Sequence, residues 1–93
     1  MLKITKAARD ESCVRCGTND GTIVACHING RLAHKLGRGM GQKPDDLMAA
    51  HLCHRCHDVM DRRVAGATLE EMEQGWPEYV LLTIKRLRDR GVI

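Results

Sequence analysis

All five cysteines and all five histidines of this chain lie between residues 13 and 57. Four of the cysteines form two C-x-x-C pairs, Cys13/Cys16 and Cys53/Cys56, with 36 residues between them. A two-residue spacer lets both sulfurs of a pair reach one tetrahedral ion, and four thiolates complete a closed structural zinc site. Redox chemistry fits less well, because a C-x-x-C oxidoreductase uses one pair on a βαβ scaffold. His57 follows Cys56 directly, and Asp61 lies four residues further on. On a helix opening near Cys53 these two share one face, where an imidazole and a carboxylate can grip a divalent cation. The same spacing also describes a plain surface pair worth a few tenths of a kcal/mol. His27 ends a short strand, flanked by Ala25 and Ile28, in a segment that the zinc would draw toward that helix, although a lone histidine beside apolar residues also suits a plain structural role.

The elements that must position these residues can be read coarsely. Residues 3–11 suit a short helix before the first cysteine pair. Asn19-Asp20-Gly21 is a turn signal, and residues 22–25 read as a short strand ending at Cys26-His27-Ile28. Residues 29–44 form a Gly-rich basic loop with Arg31, Lys35, Arg38 and Lys43. It is not a phosphate-binding P-loop, since no G-K-[ST] follows. Residues 45–52 lead into Cys53, where a helix starts and runs to about Gly66. Thr68-Leu69-Glu70-Glu71 has the capping-box pattern of a second helix. Gly75 interrupts it, and Pro77 suits the first turn of a third. Val80, Leu81, Ile84 and Leu87 give that third helix an apolar stripe, with Gly91 as its C-terminal stop. Trp76 and Tyr79 read as core packing. His34, His51 and His54 read as surface histidines.

Size and composition narrow the function. A chain of 93 residues is one domain with a small core, and it needs a staple such as a metal. Phe is absent, and Trp76 and Tyr79 are the sole aromatic residues, which excludes binders that stack bases on several exposed rings. An odd cysteine count and an N-terminus without a secretory apolar stretch argue against disulfides. The expectation is a soluble, cytoplasmic protein with no membrane span. Net charge is +3, and the basic excess sits with the Cys/His region: eleven basic against seven acidic residues in 1–66, four against five in 67–93. That balance suits a polyanionic partner.

Residues 13–17 (CVRCG), 23–28 (IVACHI) and 43–61 (KPDDLMAAHLCHRCHDVMD) together resemble the zinc-stabilised HNH nucleases, also called His-Me finger or ββα-metal nucleases. More narrowly, the chain is similar to the YbcO family of small prophage-encoded proteins named as nucleases. The resemblance covers roughly residues 6–63. Its most specific stretches are the G-x-G-x-K-P-x-D run over residues 39–46 and the C-x-x-C-H-x-x-x-D run over residues 53–61. It implies a small α+β fold: a zinc-stapled, treble-clef-like ββα-metal core over about 10–66, an N-terminal helical segment, and a C-terminal helical extension over about 67–93. It also implies that His27 is the general base, that His57 and Asp61 are ligands of a catalytic divalent cation, and that Asp46 helps fix the catalytic loop. At Cys26 the chain departs from the many HNH enzymes that place an aspartate ligand there. A thiol is a poor partner for Mg²⁺ and a good one for softer ions, so Cys26 is an additional candidate ligand, and the second cation could be Mg²⁺, Mn²⁺, Ni²⁺ or Zn²⁺.

The implied partner is nucleic acid, with DNA first, and the implied setting is a phage- or prophage-carrying bacterium. Arg31, Lys35, Arg38, Lys43, Arg62 and Arg63 are candidates for backbone-phosphate contacts, which position a substrate without reading its sequence. Two other functions remain open at this level: a non-catalytic zinc-stapled nucleic-acid-binding accessory protein, and a protein-interaction module using the Trp76/Tyr79 helix. If the basic loop is the contact surface, neutralising Arg38 and Lys43 together weakens DNA binding. The slope of log affinity against log salt then falls by about one unit per lost contact. An unchanged slope in a salt titration would place the contact surface elsewhere.

Overall fold

The structure, a computed structural model, describes residues 6–28, 35 and 47–93. A 3₁₀ turn over Ala7–Asp10 stands where the short N-terminal helix was expected. Among the described residues two strands follow, β1 (Val24–His27) and β2 (Ala49–Leu52), and then two helices, α1 (His54–Met60) and α2 (Leu69–Asp89). The strands pair antiparallel, with Val24 opposite Leu52 and His27 opposite Ala49. Ile28 N–H extends the ladder to Met48 O at 2.8 Å. β1 lies two residues later than its sequence signal. β2 carries no strand signal of its own, because its four residues are all buried and lack the alternation of a half-exposed strand.

The far edge of β2 is covered by other parts of the chain. His51 O accepts from Val14 N–H at 2.9 Å, and His51 N–H donates to Thr83 Oγ1 at 3.0 Å. Thr83 in turn donates to Tyr79 O one turn back in its own helix, at 2.9 Å. This is why a buried hydroxyl is tolerated in the helix: it completes an otherwise unpaired strand edge.

Both helices differ from their sequence boundaries. α1 stops at Met60 rather than near Gly66. Arg62 takes a left-handed φ of 63°, with Arg62 N–H bonded to Val59 O and Arg63 N–H to Asp58 O, so the end is a Schellman turn without glycine. The expected second and third helices are one. α2 runs through Gly75 and Pro77, because Trp76, Val80, Thr83 and Leu87 form one continuous buried stripe against β2 and the core. Burial of that stripe outweighs the hydrogen bond that Pro77 deletes. Leu81, expected in the stripe, is 65 % exposed, and Thr83 takes its place. The end of α2 is as read: Gly91 at φ 75° closes a Schellman turn, with Val92 N–H on Leu87 O. Among the described residues no helix is long and apolar enough to cross a membrane.

His51 corrects the surface reading. It is 1 % exposed, with Nδ1 3.2 Å from Arg86 Nη1 and Nε2 without a hydrogen-bond partner among the described residues. Arg86 also donates to Ser12 O at 2.8 Å and pairs with Glu11 at 2.8 Å, while Arg90 pairs with Glu11 at 3.0 Å. Burial first, then the Arg86 and Arg90 charges, push the imidazole down to about 4. The folded state therefore holds His51 neutral while the unfolded chain protonates it, so stability falls as pH drops from about 6.5 toward 4. The loss from this group is on the order of 3 kcal/mol at most. Urea unfolding at pH 7.5 and pH 5 should show a smaller acid loss for His51→Gln than for the wild type. Equal losses would assign the acid sensitivity to other groups.

Candidate functional site

The two C-x-x-C pairs converge. Each builds the same local bond: Cys16 N–H donates to Cys13 Sγ at 3.5 Å, and Cys56 N–H to Cys53 Sγ at 3.5 Å. In the first pair the chain turns back through Gly17 at φ 82°, closed by Gly17 N–H on Cys13 O. In the second, Cys53 is the N-cap of α1. The four sulfurs lie within 4.8 Å of one another, with Cys16 and Cys53 Sγ 3.7 Å apart. A tetrahedral zinc–thiolate centre with bonds near 2.3 Å places its sulfurs about 3.8 Å apart. The donor set and its spacing therefore fit a metal ion such as zinc.

The thiols divide electrostatically. Burial raises the Cys13 thiol, but backbone hydrogen bonds from Cys16, Cys53 and Arg15 outweigh it and bring the group down to about 7. Burial pushes Cys56 up to about 12 against the hydrogen bond from Arg15, and it also raises Cys53. A cation reverses this preference, since thiol ligands are held deprotonated on a metal.

One residue past the cluster, His57 Nε2 stands 2.8 Å from Asp61 Oδ2, with both side chains partly buried. Arg63 reaches Asp58 at 3.5 Å and Asp61 at 3.9 Å. His57, on α1, and Asp61, its C-cap residue, are thus brought together one turn apart, as their spacing requires. His27 closes β1 and is half-buried. Cys26, its neighbour, belongs to the core at 2 % exposure and donates to Val24 O. Burial, and then the nearby Asp61 charge, push its thiol up to about 12. Arg62 and Arg63 are exposed at the end of α1, and Lys35 is exposed. Asp46, Arg31, Arg38, Lys43 and His34 lie outside the described residues. His54 is exposed, as expected, and pairs with Asp58 at 3.4 Å.

Sequence reasoning missed a polar cluster beside the cysteines. Arg15, inside the first C-x-x-C, donates Nε to Glu71 Oε2 at 2.7 Å, Nη2 to Glu71 Oε1 at 3.0 Å and Nη1 to Cys56 Sγ at 3.4 Å. Tyr79 Oη donates to the same Glu71 carboxylate at 2.6 Å. Arg15 first, then Tyr79, hold Glu71 below the usual carboxylate range, while burial and then Glu71 push Tyr79 up to about 12. The available signal was a cation between two metal-site cysteines.

Comparison with known proteins adds the remaining observation. The family described as "Putative nuclease YbcO" matches residues 2–92. A protein of Escherichia coli (strain K12), named "Putative nuclease YbcO", is 44 % identical over 68 residues, covering 68 % of this chain and 67 % of the relative. One from Enterobacteria phage 82, named "Putative nuclease ybcO", matches to the same extent. A solved structure described as that of "a putative bacteriophage protein from Escherichia coli str. K-12 substr. MG1655" aligns with a TM-score of 0.69 at 30 % identity, covering 95 % of this chain and 99 % of the other. Matched over nearly its whole length, the chain belongs to the YbcO family, whose members are named as nucleases.

Proposed function

We propose that this protein is a metal-dependent endonuclease of the HNH type, a single ββα-metal domain stapled by zinc on Cys13, Cys16, Cys53 and Cys56. The carrying observation is the His57–Asp61 pair at 2.8 Å on the helix that opens from the second cysteine pair. His57 and Asp61 would hold a second divalent cation, with Cys26 an additional candidate. When bound, such a cation stabilises charge developing on the phosphate and on the leaving 3′-oxygen. His27 Nδ1 or Nε2, in the neutral imidazole, accepts a proton from water as the water oxygen forms its bond to phosphorus. The P–O3′ bond breaks with its electron pair on the 3′-oxygen, which takes a proton from solvent water, and the products carry 5′-phosphate and 3′-hydroxyl ends. Asp46 would fix the loop carrying the base. Lys35, Arg62 and Arg63, with Arg31, Arg38 and Lys43 of the basic loop, would hold the backbone of DNA. The phage relative supports a prophage origin and a bacterial cytoplasmic setting.

One observation favours a second reading. Where many HNH enzymes carry an aspartate ligand, this chain buries an uncharged thiol, Cys26. The alternative is a non-catalytic, zinc-stapled protein that binds nucleic acid through the same basic residues.

Two experiments test the proposal. Elemental analysis of purified protein should find one zinc per chain, and Cys13→Ser or Cys56→Ser should prevent stable folding, because metal binding contributes folding energy directly. Well-folded protein without zinc would contradict this. In plasmid nicking across Mg²⁺, Mn²⁺, Ni²⁺ and Zn²⁺, His27→Ala should slow cleavage by a factor of about 10² to 10⁴. His57→Ala should also abolish it, with zinc content and Trp76 emission retained in both variants. Cys26→Asp should raise Mg²⁺-supported cleavage. Equal cleavage by wild type and His27→Ala would remove His27 as base. No cleavage by wild type or Cys26→Asp with any metal would establish the binding protein instead.

A further inference from the structure

Arg15 makes four polar contacts, each with a partner at least 41 residues away in the chain. Its Nη1 faces Cys56 Sγ at 3.4 Å, its Nε and Nη2 grip both oxygens of Glu71, and Nη2 also donates to Gly66 O at 3.0 Å. Gly66 lies in the link between α1 and α2, and Glu71 is in the first turn of α2. Tyr79, two turns along α2, donates to Glu71 Oε2 at 2.6 Å, the same oxygen that Arg15 Nε holds. A single guanidinium thus touches a cluster sulfur, the linker and the long helix. The arrangement uses the planar fork that distinguishes arginine from lysine, since the bidentate grip on Glu71 leaves Nη1 aimed at the sulfur.

Four thiolates around a divalent zinc leave two net negative charges in a site where three of the four cysteines are buried. A cationic N–H donor aimed at one sulfur disperses part of that charge, and donors just outside the ligand set commonly govern how firmly a metal is held. Glu71 then balances Arg15, and Tyr79 fixes Glu71.

We propose that Arg15 is the positioning residue that couples the four-cysteine metal centre to α2, so that metal retention and docking of the C-terminal helix depend on one guanidinium. This rests on the zinc reading above. Without Arg15 the metal is held less firmly, and α2 loses its anchor at Glu71.

The test uses the intact chain in zinc- and cobalt-loaded forms. Arg15→Met, Arg15→Lys and Glu71→Gln are compared with wild type by zinc transfer to a chromophoric chelator, by the thiolate-to-Co²⁺ charge-transfer band, and by amide exchange along α2. Arg15→Met should weaken zinc retention by about 10- to 100-fold. It should also shift the charge-transfer band to lower energy, because a thiolate relieved of its N–H donor gives up an electron more readily. Arg15→Lys should restore retention only in part. Glu71→Gln should keep the band near its wild-type position while exchange at the start of α2 speeds up, separating the sulfur contact from the helix contact. If Arg15→Met does not fold, the same measurements on Arg15→Lys decide. Wild-type retention and an unshifted band in the Arg15 variants would overturn the proposal while leaving the zinc reading intact. A wild type that takes up neither Zn²⁺ nor Co²⁺ would overturn the zinc reading and this proposal with it.

Discussion

Four sulfurs held within 4.8 Å of one another are the constraint on which this structure turns. The chain is short, its apolar core among the described residues is built mostly from cysteine, alanine and isoleucine, and Trp76 is its one fully buried aromatic residue, with Tyr79 packed against the core. Such a core gives little surplus over the entropy of ordering the chain. The cluster closes the loop between Cys16 and Cys53, bringing the N-terminal knuckle against the start of α1. Cys53 acts twice, as N-cap of that helix and as a member of the cluster. Val14, in the same knuckle, bonds the edge of β2. Loss of the cluster would therefore release three elements together.

A second set of contacts uses charge to seat α2. At one end Arg15 grips Glu71, and toward the other Arg86 and Arg90 grip Glu11. Between them Trp76, Val80, Thr83 and Leu87 are buried. Ion pairs of exposed side chains contribute little on their own, but these are partly shielded, and each is tied to a further hydrogen bond, from Arg15 to Gly66 O, Arg86 to Ser12 O and Arg90 to Ala7 O. They fix the rotation of a helix whose apolar stripe is narrow. Leu81 and Leu82 remain outside that stripe, about half or more exposed.

What the sequence disclosed, and what it hid, follows the range of each interaction. The C-x-x-C knuckles, the Thr68 cap and the Gly91 stop depend on residues within a few positions, and each was legible. Glu71 shows the limit. As the fourth member of a capping pattern it suggests a local role, and its backbone N–H does bond Thr68 Oγ1 at 3.0 Å. Its carboxylate, however, is taken by Arg15, 56 residues away. The sequence of β2, Ala-Ala-His-Leu, lacks a strand signature because its surroundings rather than its residues make it a strand. His51 read as a surface residue for the same reason: only the packing of Arg86 and Thr83 around it shows that it is buried. Pro77 suggested a break that tertiary packing overrode. The roles proposed for His27, Asp46, His57 and Asp61 rest on the family resemblance, and of these residues the structure brings His57 and Asp61 to 2.8 Å.

The placement of His57 next to Cys56 carries a structural consequence. Successive residues on an α-helix are turned by about 100°, so neighbours in sequence face different surroundings. Cys56 points into the cluster at 2 % exposure, while the His57 side chain is 29 % exposed and meets Asp61 one turn later. One short helix therefore does two jobs on two faces, and its first turn is pinned by the sulfurs. Seven residues are too few for an isolated helix to be stable in water, so the spacing of His57 and Asp61 is maintained by the cluster rather than by the helix itself. The second pair of side chains depends on the first for its geometry, although the two sets share no atom.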